Sequence, residues 1–446
     1  MMKRVLSFCA ALALVAPSAL GQAAGKRPHF SEVIKAQFAS WDSDNDGTLS
    51  PAEVDKACVD PALTGSAAAA AAAIKRIVRS EKFELPPLTL EYLGTARPLR
   101  PARASPGLDS DREDSTEHTT RPDGQDMPSP ADSLPGRIAR PASPVPDFHG
   151  RFVQCLTRIE KTDRDLFKSE RGVTIDHCHQ GPLGDCFLVA PLGGLAKRNP
   201  AAFKDMITPL TGVEGYNVKF GNGRTVRVSP LTDAEIAISS TTGDKGGQDG
   251  LWLAVLEKAY GSLRREDNPA RHEMESATDA IAKGGSSAGV IQMLTGHRTE
   301  RIVLKRARKG WIPEEFDRNK RRIAPAAGTV PMEPAGDVDV LASKVRAGVK
   351  AAMDAGRLVA TGTGQEHQPP GISGKHAYAV IGYDAPEDTL TLWNPHGNTF
   401  KPKGEPGRAA GYPTKAGIFA IPVKDFVRVF IGVTIETDKP VGRARP

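Results

Sequence analysis

A cysteine behind a glycine turn is the feature of this sequence best suited to covalent chemistry. Cys186 follows the run Gln180-Gly181-Pro182-Leu183-Gly184-Asp185 and opens an apolar stretch, Phe187-Leu188-Val189-Ala190, that reads as a helix. A thiol at a helix N-terminus meets unpaired backbone N–H groups and the positive end of the helix dipole. Both favour the thiolate and make it a nucleophile near neutral pH. Gln180, six residues upstream, is placed to offer an amide N–H to a developing oxyanion, beside the backbone N–H of Cys186. A single cysteine is more often a buried structural thiol, so a nucleophile at this position needs partners elsewhere in the chain.

A second constellation lies near the N-terminus. Residues 42–53, from Asp42 through Asp44, Asp46, Gly47, Thr48 and Ser50 to Glu53, fit the constrained positions of the twelve-residue EF-hand loop. Alternate side chains from Asp42, Asp44 and Asp46 would point inward at a hard cation, Gly47 permits the sharp turn, and the Thr48 carbonyl adds an oxygen. Ser50 acts through water and Glu53 closes the shell with both oxygens, so Ca2+ is the expected ligand. No second good loop of this kind is found; a lone site binds more weakly, which matters less where calcium is millimolar. His177-Cys178-His179 followed by Cys186 invites a zinc site. Neighbouring residues in an extended segment point to opposite sides, so at most two of the three can share a metal, and zinc is not expected.

These residues need elements to hold them. Residues 27–80 read as helical, with one helix over 30–41 leading into the acidic loop and an alanine-rich one over 67–79. Residues 101–146 are rich in Pro, Ser, Asp and Arg and poor in large apolar side chains, the composition of a disordered linker. Globular character returns at 148. Helical patterns follow at 184–197, 251–263 and 280–294, with a hairpin of 216–220 and 225–228 around Gly221-Asn222-Gly223. Strand patterns come at 377–383 and 389–393.

Several segments together resemble the calpain family of cysteine peptidases. The Cys186 segment is similar to that family's active-site cysteine segment. Trp252 through Glu257-Lys258-Ala259-Tyr260 resembles its Trp-x-x-Leu-Leu-Glu-Lys-Ala-Tyr helix, and Gly284-Gly285 with Leu294-Thr295-Gly296 its glycine-rich piece. Lys375-His376-Ala377-Tyr378 matches the segment bearing the catalytic histidine, and Asn394-Pro395-His396-Gly397 the segment bearing the asparagine. Phe419 with Asp425-Phe426 and Phe430 is like the end of the core. The resemblance implies an α+β, papain-like core with a helical subdomain over 148–300 and a β-rich one over 301–437; the small helical EF-hand unit, over 25–80, and a disordered linker, over 81–147, precede it in the chain. It implies catalysis by Cys186, His376 and Asn394, with Gln180 at the oxyanion, on protein or peptide substrates, and calcium in the core as well. His376 would take the thiol proton and return it to the leaving amine, while Asn394 fixes the imidazole. A strand start and the end of the next strand suit His376 and Asn394, because a short hairpin brings them together. Departures from the family pattern are His396 in place of a tryptophan, Phe187 in place of the commoner Trp, and Lys375 in place of a glycine.

Composition agrees with an exported, modular protein. The chain has 446 residues, 39% hydrophobic and 25% charged, with 36 prolines and 44 glycines, enough for two or three domains. A net charge of +6 arises from 59 basic against 53 acidic residues spread along the chain, so a mildly basic surface is expected and no nucleic-acid partner. Lys3-Arg4, an apolar run over 5–15 and small residues to Ala24 read as a signal peptide over 1–24. Export, secreted or periplasmic, is therefore expected without stable membrane insertion. In such a compartment a disulfide between Cys155 and Cys178 is expected, leaving Cys186 free. A non-catalytic, calcium-dependent binding module on the same fold is the alternative function.

Overall fold

The computed structural model describes residues 27–80, 83–95, 145–170, 172–240, 250–272, 276–307 and 332–442. The expected signal peptide, residues 96–144 of the expected linker and residues 443–446 lie outside the described residues.

The N-terminal unit consists of α1 (Phe30–Trp41), α2 (Pro51–Val59), α3 (Gly65–Val78) and α4 (Leu90–Gly94). Ser50 caps α2 through the Glu53 N–H, the Glu53 carboxylate accepts in return from the Ser50 N–H, and Pro51 opens the first turn. The unit runs past the limit of residue 80 read from the sequence. Leu88 and Leu93 are buried, and the Leu49 N–H donates to the Leu88 carbonyl at 3.1 Å. Residues 83–95 thus complete the unit by pairing with the acidic loop.

The first part of the core contains α5 (Phe148–Lys161), α6 (Cys186–Arg198), α7 (Ala202–Met206), a small antiparallel sheet of β1 (Ile207–Pro209), β2 (Tyr216–Lys219) and β3 (Thr225–Val228), then α8 (Asp233–Ile238), α9 (Trp252–Asp267), α10 (Pro269–His272), α11 (Ala277–Ala282) and α12 (Ser287–Thr295). The helical pattern read over 280–294 is two helices, interrupted at Gly284-Gly285.

The second part is built on a six-stranded antiparallel sheet in the order β10-β9-β8-β7-β11-β4. Its strands are β4 (His297–Val303), β7 (Val359–Gly362), β8 (Ala377–Asp384), β9 (Thr389–Trp393), β10 (Ile418–Pro422) and β11 (Gly432–Pro440). A two-stranded ribbon of β5 (Lys305–Ala307) and β6 (Met332–Pro334), with helices α13 (Val338–Asp354) and α14 (Val423–Val429), completes it. Strand periodicity divides the sheet's side chains between two cores. Ala377, Ala379 and Trp393 join the core around α6 and α12, whereas Tyr378, Val380 and Leu392 join the core under α13 and α14. Small residues let α6 lie close on the sheet: a Cβ at Gly193 would sit 2.2 Å from the Trp393 ring at the end of β9. The architecture is the α+β arrangement expected from the sequence, with α6, which Cys186 opens, laid across the sheet in which His376 precedes β8 and Asn394 follows β9.

The N-terminal unit is not a bead on a string. Ala68 to Ala73 of α3 are all at most 1% exposed, because α3 is enclosed by α1, α2, α5 and α8 in one shared core. Polar ties reinforce this docking. Thr232 Oγ1 donates to the Cys58 carbonyl at 2.6 Å, the Gly65 N–H donates to Asp233 at 2.7 Å, and the buried Lys75 ammonium bridges Asp55 and Asp279. The expected Cys155–Cys178 disulfide is absent, and none of the four cysteines among the described residues is in a disulfide. Cys155 is buried in the core shared with the N-terminal unit and Cys178 in the core beneath α6, so the two thiols belong to different packing units.

Candidate active site and acidic loop

Cys186 is the first residue of α6, with Asp185 at the N-cap position. The Leu188 and Val189 N–H groups donate to the Asp185 carbonyl at 2.8 and 3.1 Å, which starts the helix. The loop before it is held from two sides. The Gln180 N–H donates to the Pro395 carbonyl at 2.9 Å, and the Gly181 N–H donates to Ser240 Oγ at 2.7 Å. The first of these ties the nucleophile loop directly to the turn that follows Asn394.

Burial raises the Cys186 thiol above its ordinary range, and the Asp185 carboxyl adds to this. The N–H groups of Ala377, Phe187 and Cys186 itself act in the opposite direction. The Ala377 N–H belongs to the residue after His376, so the sulfur lies at the start of β8. His376 is 6% exposed, and its backbone N–H donates to Thr363 Oγ1 at 3.1 Å. Its Nε2 lies 2.7 Å from Asn394 Oδ1. The Asn394 amide nitrogen donates to Asn398 Oδ1 at 2.9 Å, and the Asn398 amide donates to the Gly371 carbonyl at 3.1 Å. With Asn394 Oδ1 fixed as an acceptor, Nε2 carries the proton and Nδ1 is left as the basic nitrogen.

Burial drives the His376 imidazole down to about 3; His396 acts in the same sense and the Asn394 hydrogen bond opposes it. The ring is therefore neutral at pH 7 unless a thiolate stands beside it as counter-charge. His396, at the position of the family's tryptophan, stacks on His376 with ring centroids 4.1 Å apart and planes 27° from parallel. It covers the His376 ring with a second imidazole. Lys375 sits at a φ of 48°, a left-handed conformation that a glycine would adopt without strain.

Gln180 is buried and its Nε2 donates to the Leu183 carbonyl at 2.7 Å. A primary amide carries two N–H groups, and the second is turned toward the Asp185 carboxyl. The sequence reading missed Ser240, Asn398 and Thr363, which hold Gly181, Asn394 and His376 in turn. Single Ser, Asn and Thr residues carry no spacing signal that would have marked them.

At the other end of the chain, carboxylate oxygens of Asp42, Asp44 and Asp46 lie within 4.8 Å of one another. Asp42 accepts from the Asp46 and Gly47 N–H groups at 3.1 and 3.0 Å, and Asp46 from Thr48 at 2.7 Å. Gly47 has a φ of 82°, which makes the turn possible. These converging oxygens and this turn fit a hard divalent cation. Thr48 forms an antiparallel bridge with Thr89. Glu53 lies outside the converging group: its two oxygens accept from the Ser50 N–H at 2.9 Å and the Ser43 N–H at 2.6 Å. The Ser50 N–H, with that of Ser43, outweighs burial and lowers the Glu53 carboxyl to about 2.

A model of the calpain family of cysteine proteases matches residues 156–406, more than half of the chain. The chain belongs to the calpain family. The matched span contains Gln180, Cys186, His376 and Asn394 and stops short of β10 and β11, the last two strands of the sheet. Among curated proteins, none matches the chain. As a calpain-family cysteine protease domain, it acts on protein or peptide substrates. Among the described residues no helix is long and apolar enough to cross a membrane.

Proposed function

We propose that the chain is an exported, calcium-associated cysteine endopeptidase working through Cys186, His376 and Asn394. The observation that carries the reading is the 2.7 Å contact between His376 Nε2 and Asn394 Oδ1 at the strand start whose Ala377 N–H meets the Cys186 sulfur. His376 Nδ1 takes the Cys186 proton as the sulfur attacks the scissile carbonyl. The oxyanion is met by the Cys186 N–H and the Gln180 amide. Collapse forms the thioester and breaks the C–N bond, the leaving amine takes the proton from His376, and water hydrolyses the acyl-enzyme by the reverse transfers. Asn394 keeps the imidazole in the tautomer that makes Nδ1 the base.

Asp42, Asp44 and Asp46 would hold Ca2+, with the Thr48 carbonyl and Glu53 completing the shell once Glu53 turns from its N-cap. Bound there, the ion neutralises the clustered charge and stiffens the loop. Export supports the calcium reading, since a lone loop needs millimolar calcium. The test is hydrolysis of an unfolded protein substrate by wild type and Cys186→Ala, with calcium and with chelator. Loss of cleavage in the variant supports the peptidase. Absence of cleavage by the wild type, with calcium-dependent binding of the same substrate, would favour a binding module.

A further inference from the structure

Asp185 and Glu257 are the only acidic side chains among the described residues with no exposure at all. They come from different elements, the N-cap of α6 and the middle of α9, and their carboxyl groups face one another. Asp185 occupies an N-cap position yet makes no side-chain capping bond to its own helix. No hydrogen bond of good geometry reaches either Asp185 oxygen, and Glu257 Oε1 is likewise unsatisfied. The donors and positive charge of the neighbourhood gather on the Glu257 side. The Ser240 N–H donates to Glu257 Oε2 at 2.8 Å, and Arg158 of α5, whose Nη2 donates to the Ser239 carbonyl, is the cation nearest to it. Against Asp185 lie the Gln180 amide, its own backbone N–H and the Cys186 thiol.

Two carboxylates in contact in a dry interior cannot both remain ionised, and a single proton between them supplies the donor that the orphaned oxygens require. We propose that Asp185 carries that proton and donates it to the charged Glu257, so that the residue next to the nucleophile is uncharged and the α6 N-terminus is left to the Cys186 thiolate. Glu257 is then a positioning residue: it touches no substrate and acts by holding the proton on Asp185. Burial lifts both carboxyls, and Asp185, with the Glu257 charge against it, is lifted well above its ordinary value. Ionised Asp185 would sit at the same helix end as the thiolate and raise the thiol.

The proposal rests on Cys186 being the nucleophile, and two measurements on the full chain keep the two ideas apart. The first is difference infrared spectroscopy of wild type against Asp185→Asn at neutral pH. A protonated carboxyl C=O band present in wild type and missing from Asp185→Asn is expected. No such band in wild type overturns the proposal, even if Cys186→Ala abolishes activity. The second is the pH midpoint of Cys186 alkylation by iodoacetamide, read at that residue by mass spectrometry. Asp185→Asn, a neutral isostere of the acid, should leave the midpoint within about 0.3 unit of wild type. Glu257→Gln should remove the proton-holding partner, ionise Asp185 and raise the midpoint by about one unit. The double variant should restore it. An Asp185→Asn shift as large as that of Glu257→Gln, or no shift in either, overturns the assignment.

Discussion

The surroundings of Cys186 and the acidic loop treat their titratable groups in opposite ways. Around Cys186, burial drives His376 down to about 3 and lifts Asp185 and Glu257, so each is pushed toward its neutral form. In the loop, Asp44 and Asp46 are exposed, and the N–H donors of Ser50 and Ser43 hold the Glu53 carboxylate charged down to about 2. A cation site needs standing negative charge before its ligand arrives. A nucleophile–base pair needs the reverse, a base that stays unprotonated until the thiol gives up its proton. The same few residue types serve both because solvation and donors, not residue identity, set the charge.

The comparison breaks first at His376. Replacing it by Ala should lower kcat by roughly 10³-fold or more, since the thiol then lacks its base; a loss below tenfold would mean that the neutral ring takes no proton. Gln180→Ala should follow, with a loss of about 10²-fold in kcat and little change in KM, because an oxyanion donor acts in the transition state. A change in KM alone would place the amide against the substrate's ground state instead.

A smaller effect separates burial from hydrogen bonding at the histidine. His376 has a folded value depressed from the ordinary 6.5 to about 3, so the unfolded chain binds the proton more readily. The stability this contributes is fully present above pH 6.5 and is lost as pH falls toward 3. In a Cys186→Ala background, thermal unfolding between pH 6.5 and 4 should fall more steeply with His376 than with Gln at that position. Equal slopes would show that the ring is not buried as described.

The smallest expected effect concerns calcium. Asp42→Ala with Glu53→Ala should remove the calcium-dependent gain in stability, about 2.7 kcal/mol at a hundred times the dissociation constant, measured by thermal unfolding with and without the ion. The docking of α3 on α5 and α8 means that this gain should appear in the unfolding of the core and not only of the N-terminal unit. A transition of the core unmoved by calcium would return the unit to the status of a tethered domain.

The sequence made the catalytic hairpin legible because period-two strands and a short turn leave few alternatives: β8 and β9 fall almost where alternation put them, with His376 and Asn394 at the expected ends. The nucleophile helix was legible for the same local reason. The seating of the N-terminal unit was not. Alanine over 68–73 signals a helix but not what encloses it, and the bridge from Lys75 to Asp279 joins residues 204 positions apart. The division read from the sequence puts residues 83–95 in the linker, yet Leu88 and Leu93 are held by tertiary burial. The Asp185–Glu257 contact joins two segments that were each read for other reasons, and only the fold brings their carboxyls together.

The central claim is that Cys186 becomes the acylated residue through His376. Rapid acid quench of the protein during turnover of a peptide ester, followed by peptide mapping, reads it directly. An acyl mass on the peptide containing Cys186, absent from Cys186→Ala and accumulating far more slowly in His376→Ala, is the expected result. Acylation at Cys58, Cys155 or Cys178, or undiminished hydrolysis by Cys186→Ala, would contradict it.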